Sequence, residues 1–198
     1  MNSYSLPKIF VIGFNKCGTT SLHYLFKHNN IKSKMCGGKD KNVILSYKIY
    51  MNIMFSRDPL YNLEQYDAFS DLIYLDNYTY IEVNRLTPIL YNYYPNSYFI
   101  LNTRNIDSWL KSRFKHGQGS LVSRCCNILN CTPHELERFW REQFINHEKE
   151  IISYFNKIHG KLLVFDIEKD GVSHIANFLK QDYEIDVSHW NIYNKTKT

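Results

Sequence analysis

PKIFVIGFNKCGTTSL, residues 7–22, decides how the rest of the chain is read. Residues 8–12 form a short apolar run entered directly after Pro7, and Gly13 and Gly18 stand five apart behind it. Thr19 and Thr20 then open an amphipathic stretch over residues 19–27 that turns Leu22, Leu25 and Phe26 to one side before Asn29 and Asn30 break it. The order is strand, glycine-bearing loop, helix start, which is the frame of a phosphate-binding loop. Successive amides and the helix N-terminus converge there and hold an anion. In the nucleoside-triphosphatase version a lysine follows the second glycine directly and a hydroxyl after it binds magnesium. Here that position is Thr19 and the lysine lies earlier, at Lys16.

Further strands are expected at residues 31–36, 66–71, 97–103 (SYFILNT) and 161–167 (KLLVFDI). Between them, helices are expected at residues 43–55, at 79–94 with a kink at Pro88, at 106–115 behind a cap from Asn105 or Asp107, and at 171–179. Thr132, Pro133 and Glu135 give the strongest helix start. They lead a long amphipathic segment with Leu136, Phe139 or Trp140, Phe144, His147, Ile151, Phe155 and Ile158 at helical spacing, ending at Gly160. Residues 34–42, with Gly37 and Gly38, read as a loop. Strands alternating with helices predict an α/β protein: a three-layer, P-loop-like fold whose mainly parallel central sheet is flanked by helices, residues 1–198 forming a single domain.

The 198 residues carry 44% hydrophobic and 22% charged side chains and a net charge of +5, which excludes collagen-like and disordered classes. Lys and Arg are scattered, favouring a local anionic pocket over a nucleic-acid-binding face. No run approaches the roughly 18 to 20 apolar residues of a membrane span, and residues 1–7 lack a secretory layout, so a cytoplasmic protein is expected. The five cysteines, Cys17, Cys36, Cys125, Cys126 and Cys131, are odd in number and follow no disulfide framework, so they are expected reduced. The sequons at Asn77, Asn130 and Asn194 then carry no meaning. Cys125, Cys126, Cys131 and His134 match no zinc spacing, and a helix begins among them.

The run PKIFVIGFNKCGTTSL resembles the 5′-phosphosulfate loop of sulfotransferases that use 3′-phosphoadenosine 5′-phosphosulfate (PAPS). The second signature of that family, a strand ending in Arg with Ser eight residues on, is matched by FILNTRNIDSWLKS through Arg104 and Ser112. KLLVFDIEKDG and the His189-Trp190-Asn191 element extend the likeness over nearly the whole chain, and Asp67-Ala68-Phe69-Ser70-Asp71 resembles the DAxxD segment of a small soluble branch. The sequence departs from that pattern in three places. A proline is missing after Asp71, Asn105-Ile106 replaces the usual Asp-Pro, and the glycine-rich C-terminal nucleotide loop of the hormone-type enzymes has no counterpart.

The resemblance implies that Lys16, Cys17, Gly18, Thr19, Thr20 and Ser21 bind the 5′-phosphosulfate, with Lys16 stabilising charge on the bridging oxygen. It implies that Arg104 and Ser112 hold the 3′-phosphate, Arg104 by charge-assisted bonds. A surface pair with Asp107 is the plainer role for that arginine. The acceptor hydroxyl needs a general base. No histidine lies between His28 and His116, the stretch where the family carries it, so an acid is expected among Glu64, Asp67, Asp71 and Asp76. The DAxxD likeness selects Asp71, and an unperturbed carboxyl at about 3.9 requires burial to serve as a base. The expected activity is metal-independent, in-line transfer of a sulfuryl group from PAPS to a hydroxyl acceptor, leaving 3′,5′-adenosine bisphosphate (PAP). Two alternatives stand beside it. Leu72-Ile73-Tyr74-Leu75-Asp76 offers a P-loop kinase its magnesium-binding aspartate, and a non-catalytic nucleotide-binding module would need no base. Alcohols, phenols, glycans and peptides all remain open as acceptors, as does the oligomeric state.

Overall fold

A computed structural model describes residues 6–36 and 44–193. Gly37, Gly38 and the rest of the expected loop up to Asn42, Val43 at the expected helix start, residues 1–5 and Asn194 lie outside the described residues. Five strands, β1 (Ile9–Val11), β2 (Ser33–Met35), β3 (Ala68–Ser70), β6 (Tyr98–Thr103) and β7 (Leu162–Asp166), form one sheet in the order β2-β3-β1-β6-β7. Every neighbouring pair in it is parallel. Two more, β4 (Ile73–Leu75) and β5 (Tyr80–Glu82), pair as an antiparallel hairpin beside it.

Parallel strands must be covered on both faces, and the side-chain alternation of β1 and β6 supplies two cores at once. Phe10, Phe99 and Leu101 face one layer, packing against α2 (Leu45–Met54), α3 (Thr87–Tyr93) and α6 (Pro133–Ile158) through Leu45, Ile49, Leu90, Ile151 and Phe155. Ile9, Val11, Tyr98 and Ile100 face the other, against Leu22, Leu25 and Phe26 of α1 (Thr19–His28) and Ile175 and Leu179 of α7 (Ser173–Leu179). The result is an α/β fold of three layers around a parallel sheet, as expected. A third cluster, with Phe14, Cys17, Trp109, Leu121, Cys125, Trp140 and Phe144, packs beneath the loop that follows β1, closed by α4 (Ile106–Lys115) and α5 (Ser120–Leu129).

The long helix α6 has the full capping box at Thr132 and Glu135, and Trp140 takes the buried position while Phe139 is exposed. Asn105 caps α4 by accepting from the amides of Asp107 and Ser108, both at 3.0 Å. The expected helix at 79–94 is corrected. Residues Tyr80–Glu82 form β5, a 3-10 turn covers Val83–Leu86, and Pro88 lies in the first turn of α3. The missing proline N–H is there one of the donors a helix start leaves unpaired, so the ring opens the helix and kinks nothing. Helix α5 was not expected.

Candidate functional site

The carboxyl ends of all five parallel strands lie along one edge of the sheet, where open α/β folds place their ligands. A cavity of about 650 Å³ opens there, between the loop after β1 and the ends of β2, β3, β6 and β7.

The loop is held by its neighbours. The Gly13 amide donates to Asn102 Oδ1 at 2.8 Å, and Asn102 Nδ2 donates to the Cys17 carbonyl at 2.9 Å, so one buried side chain of β6 clamps both halves of the loop. Trp109 Nε1 donates to the Asn15 carbonyl at 2.9 Å and Arg104 Nη1 to the Lys16 carbonyl at 3.1 Å. With the carbonyls of residues 15, 16 and 17 each taken from outside, the anion-attracting end of α1 is left to the cavity. That helix has no side-chain cap and no acidic residue in its first turn, which leaves its positive end uncompensated.

Gly13 is required by space and Gly18 by its left-handed backbone. A Cβ on Gly13 would stand 1.9 Å from the Asn102 carbonyl oxygen, and one on Gly18, at φ +82°, 1.9 Å from Ile167 Cδ1. The first obstacle is the backbone of a central strand and cannot yield. Gly13→Ala is expected to destabilise the fold by about 3 kcal/mol or more, checked by urea unfolding.

Lys16 sits in the left-handed region at φ +68°, where a non-glycine residue is uncommon and turns its side chain away from the regular course of the loop. Its Nζ lies 3.3 Å from His116 Nδ1. Burial holds the Lys16 ammonium below the ordinary lysine range, opposed by the negative charge of Asp71. Asp71 follows β3, also in the left-handed region at φ +55°. Its Oδ1 is buried without a hydrogen-bond partner among the described residues. Burial pushes its carboxyl up to about 7, against the pull of Lys16 and Arg113. Desolvation therefore supplies what sequence reasoning demanded of a carboxylate base.

Arg104 and Ser112 line the same cavity as Lys16 and Asp71. Arg104 does not pair with Asp107, whose carboxylate meets Arg141 at 2.8 Å. Its partner is Glu168, just past β7: Arg104 Nε donates to Glu168 Oε1 at 3.1 Å and Nη2 donates to the same oxygen. Gly18, Thr19 and Thr20 line the cavity. Cys17 does not: its side chain is fully buried in the cluster under the loop, and burial drives the thiol far above its ordinary range. Ser21 is buried as well, its Oγ accepting from the Tyr193 amide at 3.0 Å.

Several lining residues escaped sequence reasoning. His116 follows α4 by one residue, and burial and the nearby cations hold it below the usual histidine range. Ile192 and Tyr193 enter from the C-terminal segment, with the Tyr193 ring tilted against Tyr24, centroids 4.6 Å apart. Their only signal was position, directly after His189-Trp190-Asn191. Trp190 packs edge-on against Phe165, and His189 itself is partly exposed near Asp186. The buried guanidinium of Arg113 lies 3.8 Å from the centre of the Trp140 ring, outside the cavity wall.

The aspartate a kinase would need is elsewhere. Asp76 sits in the β4–β5 turn, its carboxylate accepting from the amides of Tyr78 and Thr79 and from the Tyr74 hydroxyl.

A family model for the sulfotransferase domain matches residues 8–141, more than half of the chain's 198 residues. The chain belongs to the sulfotransferase domain family. No curated protein matches it. The matched span of this sulfotransferase contains the loop, Asp71, Arg104 and Ser112, while Glu168, Ile192 and Tyr193 complete the cavity from beyond it. Among the described residues no helix is long and apolar enough to cross a membrane, and no group of three His, Cys, Asp or Glu side chains is placed to hold a metal ion.

Proposed function

We propose that this sulfotransferase, as a single domain, moves the sulfuryl group of PAPS to an acceptor hydroxyl by in-line, metal-independent transfer. The observation that carries this reading is the convergence of Lys16, Arg104, Ser112 and Asp71 on one cavity at the N-terminus of α1. A loop lysine suits a leaving phosphate, and an arginine on the far side of the loop suits a second phosphate. A nucleotide carrying both would lie over the ends of β1, β6 and β7. The ends of β2 and β3, with Met35, Cys36 and Asp71, are then left for the acceptor.

The acceptor oxygen attacks sulfur, the bond from sulfur to the bridging oxygen breaks, and PAP departs with that electron pair. Asp71 takes the acceptor's proton, while Lys16 and the α1 amides meet the charge growing on the bridging oxygen. Thr19 and Thr20 bind the phosphate oxygens.

A thermal-shift titration in EDTA tests the donor. PAP at a hundred times its dissociation constant stabilises the fold by about 2.7 kcal/mol, a shift of roughly 5–10 °C at this size. A shift seen only with ATP and magnesium overturns the reading in favour of a kinase, and a protein that PAP stabilises but that transfers no sulfate is a binding module.

A further inference from the structure

Two anion-binding groups at the end of β6 already hold an anion that belongs to the protein. The Arg104 fork closes on Glu168 Oε1, and the Asn105 amide donates to Glu168 Oε2 at 3.0 Å. Arg104 is also tied to the loop, its Nη1 donating to the Lys16 carbonyl at 3.1 Å. The backbone that presents Glu168 is equally fixed. The Glu168 amide donates to Asp166 Oδ1 at 2.9 Å, the Asp166 amide to Asp170 Oδ2 at 2.7 Å, and the Lys169 and Asp170 amides to the Asp166 carbonyl. The Glu168 side chain, about a third exposed at the cavity rim, has solvent to turn into.

We propose that Glu168 is an internal competitor for the Arg104 subsite: it occupies the arginine and the Asn105 amide in the empty enzyme, yields them to the 3′-phosphate of the nucleotide, and returns as PAP leaves. This rests on the reading of Arg104 as the 3′-phosphate ligand. A carboxylate and a phosphate compete for the same Nε and Nη2 edge of the guanidinium and for the Asn105 amide, and the phosphate brings more charge and more acceptor oxygens. Glu168 therefore weakens the hold on PAP without touching the loop that binds the 5′ end. The gain is in turnover, because release of a doubly phosphorylated product from a site with two fixed cations is otherwise slow.

Calorimetric titration of PAP and of AMP, which lacks the 3′-phosphate, into the wild-type protein, E168Q, R104Q and the double variant tests this. E168Q is expected to bind PAP about tenfold more tightly and AMP within about twofold of wild type, and to show correspondingly stronger product inhibition by PAP. The gain is expected to vanish in the R104Q background, since Glu168 acts through Arg104. PAP binding that R104Q weakens but E168Q leaves unchanged or loosens overturns the proposal alone, and so does a gain that persists in the double variant, which would mark a general field effect. Failure of the wild-type protein to bind PAP, or an R104Q variant that binds it undiminished, overturns the donor reading and the proposal together. If E168Q does not fold, Glu168→Asp keeps the charge but falls one methylene short of Arg104, and the same tightening is expected of it.

Discussion

Lys16→Met is expected to lower the turnover of sulfuryl transfer by about a hundred- to thousandfold while leaving PAP affinity within about tenfold of wild type, measured by single-turnover kinetics and calorimetry. The split follows from where charge develops. In the proposed reaction the ground-state phosphosulfate is met by the end of α1, and the additional charge appears on the bridging oxygen only as the bond to sulfur breaks. A methionine fills the same space without the ammonium, so a steric account would predict little change. The stability effect has the opposite direction. Lys16 is half-buried and its ammonium is held below the ordinary range by desolvation, so its removal is expected to leave the melting temperature unchanged or higher. It also takes away a positive charge that restrains Asp71, whose carboxyl then titrates above the value of about 7 found with Lys16 in place. Equal loss of PAP binding and turnover in Lys16→Met would mean that the lysine only binds.

The loop was legible because its determinants are local. Gly13 and Gly18 stand five apart between an apolar strand and a helix start, and that spacing is read without knowing that Asn102 of β6 backs onto Gly13. Strands β1 and β6 were legible because burial on both faces makes a continuous apolar run. The β4–β5 hairpin was not. Its strands are three residues each and are defined by cross-strand partners such as Tyr74 opposite Ile81, so Tyr80–Glu82 read on its own joined the helix that follows. Helix α5 starts behind Gly119 with no side-chain cap and no acidic residue in its first turn, so it lacks the start signals that announced α6.

At the site, the same division holds. Lys16, Arg104, Ser112 and Asp71 were named from short motifs, and the fold brings them to one cavity. The plainer alternative for Arg104 was a pair with Asp107, three residues away, whereas its carboxylate partner is Glu168, 64 residues away, because β6 and β7 are neighbours in the sheet. His116 was passed over in the search for a histidine that fell before it. Its place beside Lys16 depends on the length of α4, which local pattern gave, and on how α4 packs under the loop through Trp109, which it did not.

Asp71→Asn is expected to reduce turnover by about a hundredfold or more with PAP affinity retained. In the wild-type enzyme, kcat/KM should rise with pH through a midpoint near 7, the value to which burial raises this carboxyl, and in the variant that limb should be lost. Stability moves the other way, and its sign is set by linkage. An aspartate whose folded-state value lies above its unfolded value of 3.8 keeps its proton in the fold after the unfolded chain has released it, so the ionised side chain penalises folding. That penalty is absent below about pH 4, grows between pH 4 and 7, and is complete above 7. Asn carries no charge to desolvate, so the variant is expected to melt about 5 °C higher than wild type at pH 8, with the difference shrinking toward zero as the pH falls to 4. A variant that is slower and, at high pH only, more stable is the signature of a carboxylate buried for its chemistry. A turn-capping aspartate would lose stability on substitution at pH 8 and leave turnover unchanged, and that pair of results would move the base to another residue.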